Sequence, residues 1–256
     1  MRLIDERGQV LASGAPTDSD SPAHPLDNVI WRALTSRNRN VAQGDGLALR
    51  YPAPIAPFAA MTERTTASFQ SLGALLPAGD QIALFTLEEV IPPSSFSVVK
   101  RDIVDQMVLD RITAQDGSAP IVRLDARDVP DMLALVEATR PGPFGPRTIE
   151  LGQYIGVRRH GILVAMAGER MRLDGFTEIS AVCVHPSFRG QGLAAELVSK
   201  LVRSIALRGE TPFLHVFTSN RAAIELYLKL GFALRRRMHL ALLARAAGGP
   251  NGGGRC

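Results

Sequence analysis

Two patterns in the chain predict a layered α/β (α+β) fold, and a third sets its size. Three apolar runs, over 154–159, 162–173 and 178–184, follow one another, separated by His160-Gly161 and Asp174-Gly175, dipeptides suited to hairpin turns. These antiparallel strands lead into segments that alternate between helical and strand periodicity, a β-α-β-α-β succession reaching about residue 243. With 46% hydrophobic and 21% charged residues in 256, the composition is that of a globular chain long enough for one large domain or two small ones.

Residues 1–25, rich in Ser, Pro, Asp and Gly, have the composition of a flexible N-terminal segment. A helix is predicted over 26–36, with Asp27 as its N-cap and Val29, Ile30, Ala33 and Leu34 on one face. A short strand over 47–51 is ended by the prolines at 52, 54 and 57. A second helix is expected over 62–76, then strands over 81–87 and 97–108. This stretch, 26–118, carries no metal-ligand spacing, nucleophile motif or phosphate loop. From 119 to 247 the pattern is more regular. A strand over 121–124 precedes a helix with Asp128 at its N-cap, Pro130 in its first turn and apolar Met132, Leu135 and Val136. The run Pro-Gly-Pro-Phe-Gly-Pro at 141–146 breaks the chain, and the three hairpin strands follow. Next come a glycine loop, a helix over 193–208, a strand over 212–217, a helix over 219–230 and a strand near 238–243. Residues 248–256 form a glycine tail without core-forming side chains, also expected to be flexible.

The composition excludes a disordered, collagenous or disulfide-knotted protein. Aromatic residues are 5%, with Trp31 the single tryptophan, so the cores must be aliphatic. The net charge of +4 does not point to a nucleic-acid partner. The excess is uneven: from Pro186 onward eleven basic residues face three acidic ones, Glu196, Glu210 and Glu225. A bound polyanion or a solvated basic surface accounts for this equally well. Cys183 and Cys256 do not form a disulfide framework, which fits a reducing cytoplasm. No apolar run approaches the roughly 20 residues of a membrane span, and the first twenty residues lack a signal-peptide core. A soluble cytoplasmic protein with no membrane partner is expected. His24, His160, His215 and His239 are scattered without ligand spacing, so no metal is expected.

Residues 182–194, VCVHPSFRGQGLA, join a buried strand to an amphipathic helix. Arg189, Gly190, Gly192 and Ala194 form an R-G-x-G-x-A pattern. Small residues let backbone N–H groups approach an anion, and a helix starting near Leu193 adds its positive end, so the turn suits a pyrophosphate. No Gly-Lys-Ser/Thr follows, and the third glycine and acidic residue of a dinucleotide fingerprint are missing. About thirty residues downstream, residues 220–232, NRAAIELYLKLGF, fit N-x-x-A-x-x-x-Y-x-x-x-G-F. Together the two signatures resemble those of the GCN5-related N-acetyltransferase family, over about residues 120–245. The resemblance implies a mixed, largely antiparallel central sheet flanked by helices. It makes 119–247 the catalytic domain and 26–118 a smaller degenerate N-terminal lobe. It also implies transfer of an acetyl group from acetyl-CoA, as co-substrate, to a primary amine of a small molecule or protein, by direct attack in a ternary complex. A non-catalytic acetyl-CoA-binding sensor or scaffold is the alternative. A monomer or homodimer is expected, with no nucleic-acid partner.

The implied chemistry is attack of an amine on a thioester carbonyl. A lysine-like amine of pKa about 10.4 is mostly protonated at neutral pH, and freeing it costs roughly 4–5 kcal/mol, so a base is useful. Glu178, eleven residues before Arg189, resembles in its spacing the general base of the family's histone-acetylating branch. Strand alternation puts it on one face with Ser180, Val182 and Val184, projecting toward the cleft; a strand-end surface carboxylate is the plain alternative. Tyr227 matches the tyrosine that many members use as general acid for the leaving thiolate, against a simple packing role. By resemblance, the backbone at Val182, Cys183 and Val184 holds the pantetheine arm. Arg189, Gly190, Gln191, Gly192, Leu193, Ala194 and Ala195 hold the pyrophosphate, and Asn220 and Tyr227 meet the cofactor's arm. The Cys183 side chain fits a small buried strand residue, His185 a local cap, and Arg235-Arg236-Arg237 a solvated edge.

Overall fold

The computed structural model describes residues 24–113 and 117–246. The predicted flexible tail 248–256, with Cys256, and residues 1–23 of the predicted N-terminal segment lie outside the described residues. The elements are α1 (Val29–Thr35), β1 (Gln43–Gly44), β2 (Ala48–Arg50), β3 (Ala59–Met61), α2 (Thr66–Ala74), β4 (Gln81–Thr86), β5 (Phe96–Leu109) and β6 (Ile121–Leu124). There follow α3 (Val129–Thr139), β7 (Tyr154–Arg159), β8 (Ile162–Leu173), β9 (Phe176–Val184), α4 (Leu193–Leu207), β10 (Thr211–Phe217), α5 (Arg221–Lys229) and β11 (Phe232–Arg245).

Turn chemistry builds the central meander. His160 and Gly161 have φ of 51° and 81°, both left-handed, so the two residues joining β7 to β8 match the strands' twist. Asp174-Gly175 joins β8 to β9, also with two residues, of which only Gly175 is left-handed, at φ 79°. One eight-stranded sheet results, in the order β4-β11-β5-β10-β9-β8-β7-β6, and every neighbouring pair is antiparallel except β9 and β10. Strands β1 to β3 make a separate three-stranded sheet.

Each face of the large sheet carries a core. Leu193, Leu197, Val198, Leu201, Val202 and Ile205 recur at helical spacing along α4 and are buried, packing with Val164, Ala165, Ile179, Leu214 and Val216. Burying an aliphatic side chain of this kind stabilises by about 1.5–3 kcal/mol. On β10, Phe213 alternates with Leu214 and Val216 and so faces the other side. There it joins Val29, Ile30, Ala33 and Leu34 of α1 with Phe58, Met171 and Leu173.

The cap predicted at Asp27 lies elsewhere, and the one predicted at Asp128 holds its position without its hydrogen bond. A 3-10 turn, Pro25–Asn28, precedes α1, and His24 caps it: its Nδ1 accepts from the Leu26 N–H while Asp27 accepts from the His24 N–H. Asp128 does stand at the N-cap position of α3 but makes no capping hydrogen bond there, while Asp125 caps the preceding turn Ala126–Asp128. The predicted helix 62–76 is shorter because Thr65 caps α2, its Oγ1 accepting from the Ser68 N–H at 3.2 Å. Strand β11 is longer than predicted and runs through the arginine triplet. Arg235 is not a solvated edge residue: it donates to Gln106 Oε1 (2.7 Å) and to Asp27 Oδ1 (2.6 Å). Strand β5 lies between β10 and β11, and β4 pairs with β11 on its other side. The boundary placed at 118/119 therefore falls between consecutive strands of one sheet. Among the described residues no helix is long and apolar enough to cross a membrane.

Candidate active site

The site forms where the parallel pair comes apart. Strands β9 and β10 pair at Phe176–Thr211, Thr177–Pro212 and Glu178–Phe213, and pairing ends there. On its other edge β9 carries an extra residue: Cys183 pairs with Met166 and Ser180 with Gly168, and Ala181 adopts a left-handed φ of 52°. Such a bulge re-aims the strand as it leaves the seam. The chain then passes through the turn Pro186–Phe188, where the His185 ring accepts from the Ser187 N–H, the local cap the sequence suggested. Gly190 and Gly192 both have φ of 77°, and Gly192 stands at the start of α4. A Cβ at either would meet nothing within 4 Å, so it is the backbone conformation, not crowding, that calls for glycine. Asn220 opens α5 and its Oδ1 accepts from the Ala223 N–H.

A cavity of about 570 Å³ fills the open seam. Of the expected site residues, Val182, Cys183, Val184, Arg189, Ala194, Asn220 and Tyr227 line it. Gly190, Gln191 and Gly192 form the adjoining turn without lining it. Leu193 is buried in the core beneath α4, and Ala195 packs against that core. Tyr227 is buried against Phe232, and burial pushes its hydroxyl up to about 12. Burial also pushes the Cys183 thiol up to about 11, so it stays neutral.

Glu178 does not project into the cleft as strand alternation predicted. It is 0% exposed and does not line the cavity. A second bulge, between Glu169 and Arg172 on β8, brings Arg170 against it. Arg170 donates through Nε and Nη2 to the two Glu178 oxygens at 2.8 and 2.7 Å, and His215 Nδ1 lies 2.8 Å from Oε1. Burial alone would raise this carboxyl, but the Arg170 charge and the hydrogen bonds from Arg170 and His215 outweigh it and hold it at about 2.

Arg170 and His215 do line the cavity, and sequence reasoning missed both. The available signal was an Arg, and a His, inside apolar strand patterns. The tautomer of His215 follows from its neighbours. Gln106 Oε1 accepts from Arg235 and its Nε2 donates to the Leu26 carbonyl, which fixes the amide. Its Nε2, 3.1 Å from His215 Nε2, can then only donate, so His215 carries its proton on Nδ1 toward Glu178. The lining also includes Phe58, Phe85, Lys100, Val104, Phe217, Leu240 and Leu242. Among the described residues no group of three or more His, Cys, Asp or Glu is placed to hold a metal.

Comparison with known proteins matches residues 154–240 to the family described as FR47-like protein. The N-alpha-acetyltransferase RimI of Mycobacterium tuberculosis is 37% identical over 92 residues, 34% of this chain, and the chain spans only 57% of that relative's length. The [ribosomal protein bS18]-alanine N-acetyltransferase of Escherichia coli is 30% identical over 118 residues, covering 44% of this chain and 79% of the relative. A crystal structure of a GNAT-family acetyltransferase from Novosphingobium aromaticivorans superposes with a TM-score of 0.82 at 40% identity, covering 88% of this chain and 100% of that one.

Proposed function

This chain belongs to the GCN5-related N-acetyltransferase family, and from that premise we propose that it transfers the acetyl group of acetyl-CoA to a primary amine of a small molecule or protein, by direct attack in a ternary complex. The observation that carries this reading is the open β9–β10 seam, bounded by the glycine turn at α4 on one side and Tyr227 on the other.

The residues present suit acetyl-CoA. The two left-handed glycines, the start of α4 and Arg189 form a cationic, sterically open turn of the kind that takes a pyrophosphate. Val182, Cys183, Val184, Ala194, Ala223 and Leu226 give the seam small and apolar walls fit for a pantetheine arm, and Asn220 stands at the same wall. Acetyl-CoA supplies a thioester carbonyl. The β9 backbone beside the bulge polarises that carbonyl through its N–H groups. Tyr227, whose hydroxyl burial pushes up to about 12, donates its proton to the departing sulfur and regains one lost by the amine, so one proton in all passes from nitrogen to sulfur.

Glu178, with a carboxyl held at about 2, has little drive to take a proton from an ammonium. Its role in this reading is positioning: it fixes Arg170 and His215 at the cavity wall. The bacterial relatives, RimI named for an N-alpha amine and its counterpart for a ribosomal-protein alanine, keep a protein amine among the acceptors.

Thermal unfolding with and without acetyl-CoA tests the reading. At about 100 times Kd a ligand of the native state adds about 2.7 kcal/mol. A rise in Tm with acetyl-CoA but not with ATP or NADH is expected. No rise, with calorimetry equally silent, would remove acetyl-CoA from the account.

A further inference from the structure

One part of the cavity lining differs chemically from the rest. It is made of the apolar Phe58, Phe85, Val104, Phe217, Leu240 and Leu242, and with them Lys100, Arg170 and His215. Among the described residues no Asp or Glu lines any part of the cavity. An ammonium group inside would lose its water without meeting a counter-charge, and a polyamine or lysine-rich tail would leave its further ammonium groups in the same state. An anion finds donors instead. Arg170 is only 6% exposed and spends Nε and Nη2 on Glu178, while its Nη1 makes no hydrogen bond among the described residues. Its guanidinium lies over the Phe58 ring, 4.6 Å from the centroid, which fixes its plane at the wall. Lys100 is 57% exposed, its Nζ 5.1 Å from the centre of the Phe217 ring and 3.0 Å from Asp102, within reach of the same chamber. Phe58, Phe85 and Lys100 lie outside the 154–240 stretch matched by the family model, so this part of the lining is a feature of the chain's own earlier segment.

Resting on the acetyl-transfer reading above, we propose that the acceptor is a small apolar amino carboxylate, of which a free amino acid with an aliphatic or aromatic side chain is the simplest case. Its carboxylate meets Arg170 Nη1 and Lys100, its side chain lies among the phenylalanines and leucines, and its amine turns toward the seam. Cations around an amine lower its pKa, which raises the free-base fraction at neutral pH where no carboxylate base stands on the wall. The amine lone pair forms the new N–C bond and the C–S bond breaks. The nitrogen gives up one proton and the sulfur gains one through Tyr227. The products are an N-acetyl amino carboxylate and the CoA thiol.

The test is release of CoA thiol by the whole chain with leucine, methionine or phenylalanine, each compared with its carboxamide, with a short peptide carrying the same first residue, and with spermidine. At least one free amino acid should be acetylated, and its carboxamide should lose about 10- to 100-fold in kcat/KM, as expected for a lost hydrogen bond to a charged group. Lys100→Met should narrow that gap between acid and amide several-fold and leave the Tm rise with acetyl-CoA in place. Carboxamides, peptides or spermidine turned over as well as the free acids would overturn the proposal, as would acetyl-CoA binding with no acid acetylated. Loss of acetyl-CoA binding itself would instead strike the acetyl-transfer premise, and the proposal with it.

Discussion

At Glu178 two opposed effects meet on one carboxylate, and the winner sets a pH dependence. Desolvation favours the neutral acid, but the Arg170 charge and the hydrogen bonds from Arg170 and His215 favour the anion and bring the folded carboxyl from 4.5 to about 2. Because the folded value is depressed, the stabilisation is complete above pH 4.5 and is lost as pH falls toward 2. Urea midpoints measured from pH 7 down to 3 should fall below pH 4.5. In Glu178→Gln the unfolding free energy at neutral pH should already be lower by about 3–5 kcal/mol, because Arg170 is left buried without its counter-charge. The acid fall should be correspondingly shallower. Tyr227 makes the opposite case, a group that burial keeps neutral. Tyr227→Phe should lower kcat by about 100-fold or more while the Tm rise with acetyl-CoA persists. A sensor without catalysis would show no such split, since there would be no turnover to lose. With the Tyr227 hydroxyl at about 12, the rate should climb with pH as the amine is freed and show no descending limb near neutrality.

Among the elements, the glycine turn before α4 is the most exacting. Gly192→Ala would place a Cβ in open space but hold an L-residue at φ 77°, a strain of roughly 1–2 kcal/mol. A small drop in Tm and a much larger loss of acetyl-CoA affinity are expected, the latter measured by calorimetry. This turn was legible in the sequence because Arg189, Gly190, Gly192 and Ala194 write it in consecutive residues. The β7–β8 hairpin and α4 were legible for the same reason, since turn dipeptides and helical spacing are local. The capping hydrogen bonds lie earlier than expected because a 3-10 turn precedes each helix, and His24 and Asp125 each stand three residues before the acid that was expected to make them. Strand β3 escaped notice because Ala59–Met61 is too short to show a period. The full length of β11 was hidden by Arg235, whose charge is satisfied by Asp27 from the other end of the chain. The charged cluster at the cavity was illegible for a stronger reason. Two β-bulges and the adjacency of β8, β9 and β10 bring Arg170, Glu178 and His215 together, and neither is encoded in any short window.

For the molecule as a whole, the decisive feature is that β5 fills the place between β10 and β11. A chain beginning at residue 117 would lack β4 and β5, leaving an open edge on β10 and both edges of β11 unpaired. Such a fragment should aggregate or unfold without cooperativity, and should show no Tm rise with acetyl-CoA. A soluble fragment that binds acetyl-CoA would show β5 to be dispensable. The same placement governs the order of assembly during synthesis. Phe96 pairs with Arg245, so β5 leaves the ribosome long before its partner β11 exists. At some 5–20 residues per second, the nascent chain carries an unpaired strand for many seconds, and the large sheet closes only when the arginine-bearing β11 arrives. A translation product halted before β11 has the glycine turn and Tyr227 but lacks the strand that covers the other edge of β5, so it offers quality control an exposed edge rather than a working half-enzyme.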